Sequence, residues 1–299
     1  MNQIRRAFSL AVLGAVTATA PIRAQCSNCR LPILMLTPGA RAAGLAGSFV
    51  TGDGPAAMYY NPAQVGSSHG SDVSVQSVGG AALAEFATTG TAGRFGIGAG
   101  VRFLNRDRAV AADSANIAGG ALVAGVGLAS QIRGIWIGAV ANLVQPDLGG
   151  TASGAAFDVG AASRRLGLLF GLAAQNLGSD PVVAGVRQEL PTRVTLGAGL
   201  PDRSISTYFD LGASAAVSRE RDGKIVPKVG AELTYEPISG WDFTARIGIR
   251  RVIALPGELR ESALSLGATF NRNAISIDYA FRPAVAGGKP VHAVGLRIR

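Results

Sequence analysis

Charged side chains are scarce in this sequence. Asp, Glu, Lys and Arg make up 16% of its 299 residues, against about 25% in soluble domains. So little charge argues that much of the surface faces a solvent other than water. Histidine is scarcer still: His69 and His292 are the only two, which leaves no set of imidazoles for a metal centre. With few convergent carboxylates and no plausible triad, the sequence shows no active site, so an enzyme is not expected and no cofactor is implied. Long apolar runs are missing as well. The run from Ala7 to Ala20 holds fourteen residues, short of the roughly twenty that a membrane-crossing helix needs. The basic balance of +9 is not gathered into a stripe. Its Lys and Arg are scattered singly, which argues against nucleic acid as a partner.

Residues 1–24 read as a secretory signal: Arg5 and Arg6, then the apolar run, then Ile22-Arg23-Ala24 as a cleavage site before Gln25. Its removal would leave a net charge of +6. Cys26 and Cys29 follow as Cys-Ser-Asn-Cys. They read either as a redox pair or, with more weight, as a local disulfide formed in an oxidising compartment, since no βαβ pattern surrounds them. The expected division is therefore 1–24 signal peptide, 25–70 amino-terminal periplasmic or hatch segment, and 71–299 barrel.

What the chain has in abundance is period-two alternation and glycine, 41 residues of it. In the last forty residues Leu264, Leu266, Ala268 and Phe270 alternate with small or polar residues; so do Ile275, Ile277, Tyr279 and Phe281, and then Val294, Leu296 and Ile298. The pattern starts near residue 71 and predicts fourteen strands: 72–78, 81–89, 93–103, 119–131, 134–144, 155–163, 166–175, 191–200, 205–217, 225–235, 241–251, 261–271, 273–282 and 291–299. After the third strand the connections alternate, broadly, between long and short. A transmembrane antiparallel β-barrel with long external loops and short periplasmic turns requires this, and a soluble sandwich does not. The connection at Gly79-Gly80 is too short for its place: either the first two strands are miscounted or that external loop is short. The fold class is thus all-β, a single transmembrane antiparallel barrel of about fourteen strands, in the outer membrane of a diderm bacterium with both termini periplasmic.

The phase of the strands is well determined. Placing Phe95, Ile97, Val101 and Phe103 outward puts Arg94, Gly96, Gly98, Gly100 and Arg102 inward; placing Trp241, Phe243 and Ile247 outward puts Arg246 and Arg250 inward. A one-residue slip would set both of the latter arginines in lipid at about 2–4 kcal/mol each. Arg102, Arg246, Arg250, Asp278, Arg282 and Arg297 are the expected lumen residues, more as ion pairs bracing one another than as ligand contacts. Tyr235, Trp241, Phe270, Tyr279 and Phe281 are expected in interfacial girdles. Gly96-Ile97-Gly98-Ala99-Gly100 lies within a strand, so it is not a nucleotide loop. Gly212-Ala213-Ser214-Ala215-Ala216 lacks the last glycine of a hydrolase elbow.

Residues 39–63 differ from everything after them: a Gly-Ala-Arg-Ala-Ala-Gly run, Gly47, Phe49-Val50, Ala57 and Tyr60-Asn61-Pro62-Ala63. Pro62 biases Asn61 away from helix. This stretch resembles the amino-terminal signature of the FadL-like outer-membrane transporter superfamily, above all its PorV/PorQ branch. The resemblance implies fourteen strands and a hatch inside the barrel carrying Gly39, Arg41, Gly44, Gly47, Tyr60, Asn61, Pro62 and Ala63; a periplasmic lead-in to the first strand is the plainer alternative. It also implies one of two functions. The first is passage or binding of small hydrophobic molecules. The second is an accessory barrel of a protein secretion or surface-attachment system of type IX kind, whose partners would be secreted proteins. Outer-membrane lipid and the outer-membrane assembly machinery are partners either way. The chain departs from the family in ending Leu296-Arg297-Ile298-Arg299 rather than on an aromatic residue.

Overall fold

The computed structural model describes residues 31–78, 81–106, 120–146, 148, 150–183, 186–252, 262–284 and 289–299. The signal segment, Cys26, Cys29 and most of the long connections 104–118 and 252–260 lie outside the described residues.

Fourteen antiparallel strands close into one barrel. They are β1 (Gly70–Val78), β2 (Ala81–Ala92), β3 (Phe95–Arg106), β4 (Ala121–Ile132), β5 (Ile135–Gln145), β6 (Gly154–Arg165), β7 (Leu168–Gly178), β10 (Arg193–Ser204), β11 (Phe209–Glu220), β12 (Ile225–Ile238), β13 (Trp241–Arg250), β14 (Leu264–Arg272), β15 (Ile275–Arg282) and β16 (Val291–Ile298). Each strand pairs with its neighbours in chain order, and β1 closes on β16 from Ser71↔Ile298 to Ser77↔His292. Closure removes the free edges that an open sheet would leave unpaired in lipid. β1 and β2 pair up to Val78↔Ala81, so the first connection is a real, two-residue one and the strands are not miscounted.

Three expectations need correction. A two-residue hairpin, β8 (Val182–Val183) with β9 (Val186–Arg187), stands in the long connection read as loop; such short pairing leaves no periodic trace in sequence. The short connection expected at 201–204 lies instead at 205–208, because β10 runs through Pro201. Proline cannot donate to the ladder, and the register shifts between Leu200 and Arg203, carrying the strand past it. Arg94 is not on the inward face: β3 begins at Phe95, and Arg94 lies in the preceding turn with its guanidinium over the Phe95 ring.

Apolar side chains on alternate positions face out and are exposed, among them Val126, Leu128, Ile137, Leu143, Ile247 and Ile249. Eight residue steps from Trp241 to Ile249, at about 3.3 Å each and tilted about 40°, span roughly 20 Å of height, close to the apolar band of an outer-membrane barrel. Among the described residues no helix is long and apolar enough to cross a membrane. Aromatic clusters mark both ends of the band. Trp241, Phe243 and Phe270 pack together at the end with short turns, as do Phe209 and Tyr235. Tyr279, Phe281 and His292 pack at the end with long connections.

Candidate functional site: the filled lumen

Residues 31–69 do not lie outside the barrel. They run through its interior, buried at nearly every position from Leu31 to Gly66, and join β1 at the short-turn end. Four short pieces punctuate this inner segment: helices at Pro32–Met35 and Ala40–Gly44, and 3₁₀ turns at Pro55–Tyr59 and Pro62–Gly66. Prolines open three of the four, where a missing N–H costs nothing. Asn61 is extended, as a residue before proline must be, and its side-chain oxygen caps the last turn by accepting from the Ala63 N–H at 3.1 Å.

Inward glycines of the wall let the backbones meet. A Cβ on Gly138 of β5 would stand 2.4 Å from the Pro62 carbonyl oxygen, and one on Gly248 of β13 2.3 Å from the Leu45 carbonyl carbon. Gly96, Gly171 and Gly267 are met in the same way from other sides of the barrel, and Gly160 makes room for the Asn61 side chain. Much of the glycine excess is thus spent on accommodating the inner segment.

Hydrogen bonds then fix the segment. The Asn61 amide donates to the carbonyls of Val50 (3.0 Å) and Ala161 (3.1 Å). Tyr60 Oη donates to Pro38 O at 2.6 Å, and Gln175 of β7 donates to Tyr59 O at 2.7 Å. Glu85 of β2, fully inside, accepts from the Gly39 N–H at 2.7 Å and from Ser74 at 2.8 Å. Tyr59 Oη donates to the Phe86 carbonyl of β2 at 2.5 Å.

Towards the short-turn end the ties are ionic. Arg41 pairs with Asp53 of the same segment and with Glu232 of β12 at 3.0 Å. Arg246 of β13 reaches Glu232 at 2.7 Å and Asp278 of β15 at 3.3 Å, and Arg297 of β16 lies 3.9 Å from Asp278. The Arg41 guanidinium holds the Asp53 carboxyl well below the usual carboxylate range. A cavity of about 360 Å³ opens beside this network, between the inner segment and β7, β10, β11 and β12; Leu45, Phe49 and Leu200 line it together with Arg41, Asp202 and Glu232.

Towards the long-connection end the lining is different. Leu31, Ile33, Leu34 and Leu36 pack against inward-facing Val78, Leu83, Leu104, Val123, Val144 and Val291, with Leu190 folded in from the β9–β10 connection. Just below, cations from five strands point inward: Arg102, Arg193, Lys228, Arg250 and Arg282. Arg102 and Arg193 donate to the carbonyls of Ile33 (3.3 Å) and Leu34 (3.4 Å), Arg250 to Thr37 Oγ1 at 2.9 Å, and Arg282 to Gln76 at 3.3 Å.

All six lumen residues named from sequence therefore point inward, but in two groups. Arg246, Asp278 and Arg297 share a network with Arg41; Arg102, Arg250 and Arg282 belong to the upper belt. Of the signature residues, Gly39 and Gly47 take positive φ (78° and 75°), Gly44 touches Gly267, and Tyr60 to Ala63 hold the crossing of the segment. Sequence reasoning missed Glu85, Asp53 and the 31–36 cluster as parts of the site. The inward phase of Glu85 was legible in the alternation of β2; nothing local marks the other two. Leu31 lies at the end opposite Arg299, and residues before it are outside the described part. No group of three metal-ligating side chains occurs among the described residues.

No family model matches the sequence, and no curated protein matches it. Solved structures do. The chain is similar to the Ralstonia pickettii toluene transporter TbuX, with a TM-score of 0.55 and 15% identity over 88% of this chain and 98% of that one. It is similar to the P. putida toluene transporter TodX, with a TM-score of 0.56 and 11% identity over 87% and 96%. A TodX mutant described as a monoaromatic hydrocarbon channel gives 0.59 and 11% over 87% and 98%. At such identities the likeness establishes the fold: the closed fourteen-strand barrel implied by the FadL-like resemblance.

Proposed function

We propose that this protein is a non-enzymatic conduit of the outer membrane for small hydrophobic molecules, held shut by its inner segment acting as a hatch. One observation carries the reading: the lumen is greasy at its long-connection mouth, where Val78, Leu83, Leu104, Val123, Val144 and Val291 face inward. A pore for polar solutes has a polar interior throughout. In this structure Leu31 to Leu36 fill that apolar mouth, as a ligand of similar size would on displacing them. The cavity beside Arg41 is mixed in character, so the apolar lining of the lumen is concentrated at the mouth. TbuX and TodX, described as toluene transporters, support the same ligand class.

The exit in this reading is sideways. The outer face of β2–β6 bears a groove of about 610 Å³ between Phe86, Val126, Leu143 and Phe157, over Gly100 and Gly125. The ladders of β3 are unbroken, and behind it Tyr59 Oη sits against the wall, 2.5 Å from Phe86 O and 3.2 Å from Val101 O, so passage requires Tyr59 to move.

The PorV/PorQ character of the 39–63 signature makes an accessory secretion barrel the competitor. That role calls for exposed apolar surface on the long connections. Between 176 and 190, Leu190 is buried in the mouth and Arg221 clasps Asp180 at 2.9 Å, leaving Val182 as the exposed large apolar residue described there. The test is uptake of radiolabelled toluene by cells without a hydrocarbon channel of their own. Expression should raise the initial rate several-fold. Rates equal to vector control, with exported proteins co-purifying from native membranes, would hand the function to the accessory reading.

A further inference from the structure

The short-turn rim carries an asymmetry of charge that neither the lumen nor the hatch uses. Arg165, Arg203 and Arg272 occupy outward register positions at the ends of β6, β10 and β14: Arg203 stands opposite Leu211, and Arg272 opposite Trp241 and Ile275. Arg94 lies over the outward Phe95 ring, 4.9 Å from its centre, and Arg272 over Trp241 at 4.8 Å. Arg165 reaches across the next turn to the Arg133 carbonyl. All of these arginines are exposed. The acids at this end mostly face the other way. Asp210 and Asp242 are on inward positions; Asp202, which lines the luminal cavity, and Asp53 of the inner segment are exposed but stand on the lumen side, and Glu236 is exposed as well.

We infer that this arginine rim is a binding surface for the headgroups of anionic phospholipid in the leaflet at the short-turn end. The inference rests on the membrane-barrel reading but not on what the lumen carries. Guanidinium matches a phosphodiester with two parallel donors, and its plane stacks on the aromatic girdle at headgroup depth. A cation held at the edge of the apolar band gains from anionic lipid within about one Debye length. The spacing is that of the fold itself: four of the six short turns are flanked by one of these outward arginines, at separate points around the circumference, so the surface would recruit a shell of lipids rather than one molecule.

The test is native mass spectrometry of the full-length barrel released from detergent and titrated with phosphatidylglycerol or phosphatidylcholine of the same acyl chains. Wild type should retain phosphatidylglycerol at about tenfold lower lipid concentration than phosphatidylcholine. In R94Q/R165Q/R203Q/R272Q the two lipids should titrate alike, while heat-modifiable migration on gels reports an intact barrel. The single variants, which fold independently of that outcome, should each lower the ratio part of the way. Equal titration of the two lipids by wild type overturns the inference. So does an undiminished ratio in the single and quadruple variants, or a preference for lipid A phosphates that survives them. Failure of toluene uptake would leave this result standing, so the two proposals fail separately.

Discussion

At the long-connection end the inner segment meets the wall through Leu31, Ile33, Leu34 and Leu36, and its polar ties there are mostly single hydrogen bonds to backbone carbonyls. Towards the short-turn end the same segment is held by Arg41, whose two carboxylate partners are shared in part with Arg246 and, through Asp278, with Arg297. Apolar contact is non-directional, and another apolar molecule of similar volume can replace it. A buried ionic network has no such substitute, since removing one partner strands the charges of the others. One segment thus has an exchangeable end and a fixed end, which is what a hatch opened by a greasy ligand needs.

Removing the fixed end together with the crossing of the segment should have the largest effect. Deletion of 39–63 takes away the residues facing Gly138 and Gly248 and should raise single-channel conductance in planar bilayers by roughly tenfold or more, because a barrel of this strand number without filling encloses water. Unchanged conductance would remove the hatch from the account. Next in size is Arg246→Ala, which leaves Glu232 to Arg41 and Asp278 to the 3.9 Å contact with Arg297, and should cost about 3 kcal/mol in urea unfolding. A loss below about 1 kcal/mol would mean that the fixed end is no more fixed than the surface ion pairs of other proteins.

Leu34→Ala should cost about 2 kcal/mol, at the low end for a buried leucine because the mouth can readjust. Its sharper readout is hydrogen exchange: amides of 31–37 should exchange faster while those of 41–53 keep their protection. Equal acceleration of both stretches would merge the two ends into one cooperative unit. The smallest effect is on pH. Asp53 titrates below its unfolded value, so its tether to Arg41 is complete above about pH 4 and is lost as pH falls towards the depressed folded value. Protease cleavage within 41–53 should be flat from pH 8 to 5 and rise only in stronger acid; a rise near neutrality would point to some other group.

The wall was almost wholly legible. Period-two alternation identified all fourteen barrel strands, and the cost of arginine in lipid set which face points out, as Arg246 and Arg250 illustrate. The errors fall where local pattern is silent or two patterns compete. Pro201 looks like a strand end but sits at a register shift, and the hairpin at 182–187 is too short to have a period. The site was legible in part. The signature Tyr60-Asn61-Pro62-Ala63 gave itself away by its turn chemistry, and Asn61 does extend and cap. Asp53, an isolated acid in a glycine-rich stretch, and Leu31 to Leu36, an ordinary apolar run, carry no local mark of what they touch.

By itself the sequence determined the strands, their phase and the closure they require, because alternation and the penalty for charge in hydrocarbon are local and additive along the chain. Only the tertiary structure decided where residues 31–69 go and which wall positions receive them. Glycines on separate strands, and ion pairs joining Arg41 to Glu232 across 191 intervening steps, have no meaning until the barrel brings them to one height. Contacts of that kind depend on the closed circumference, and no stretch of the chain contains it.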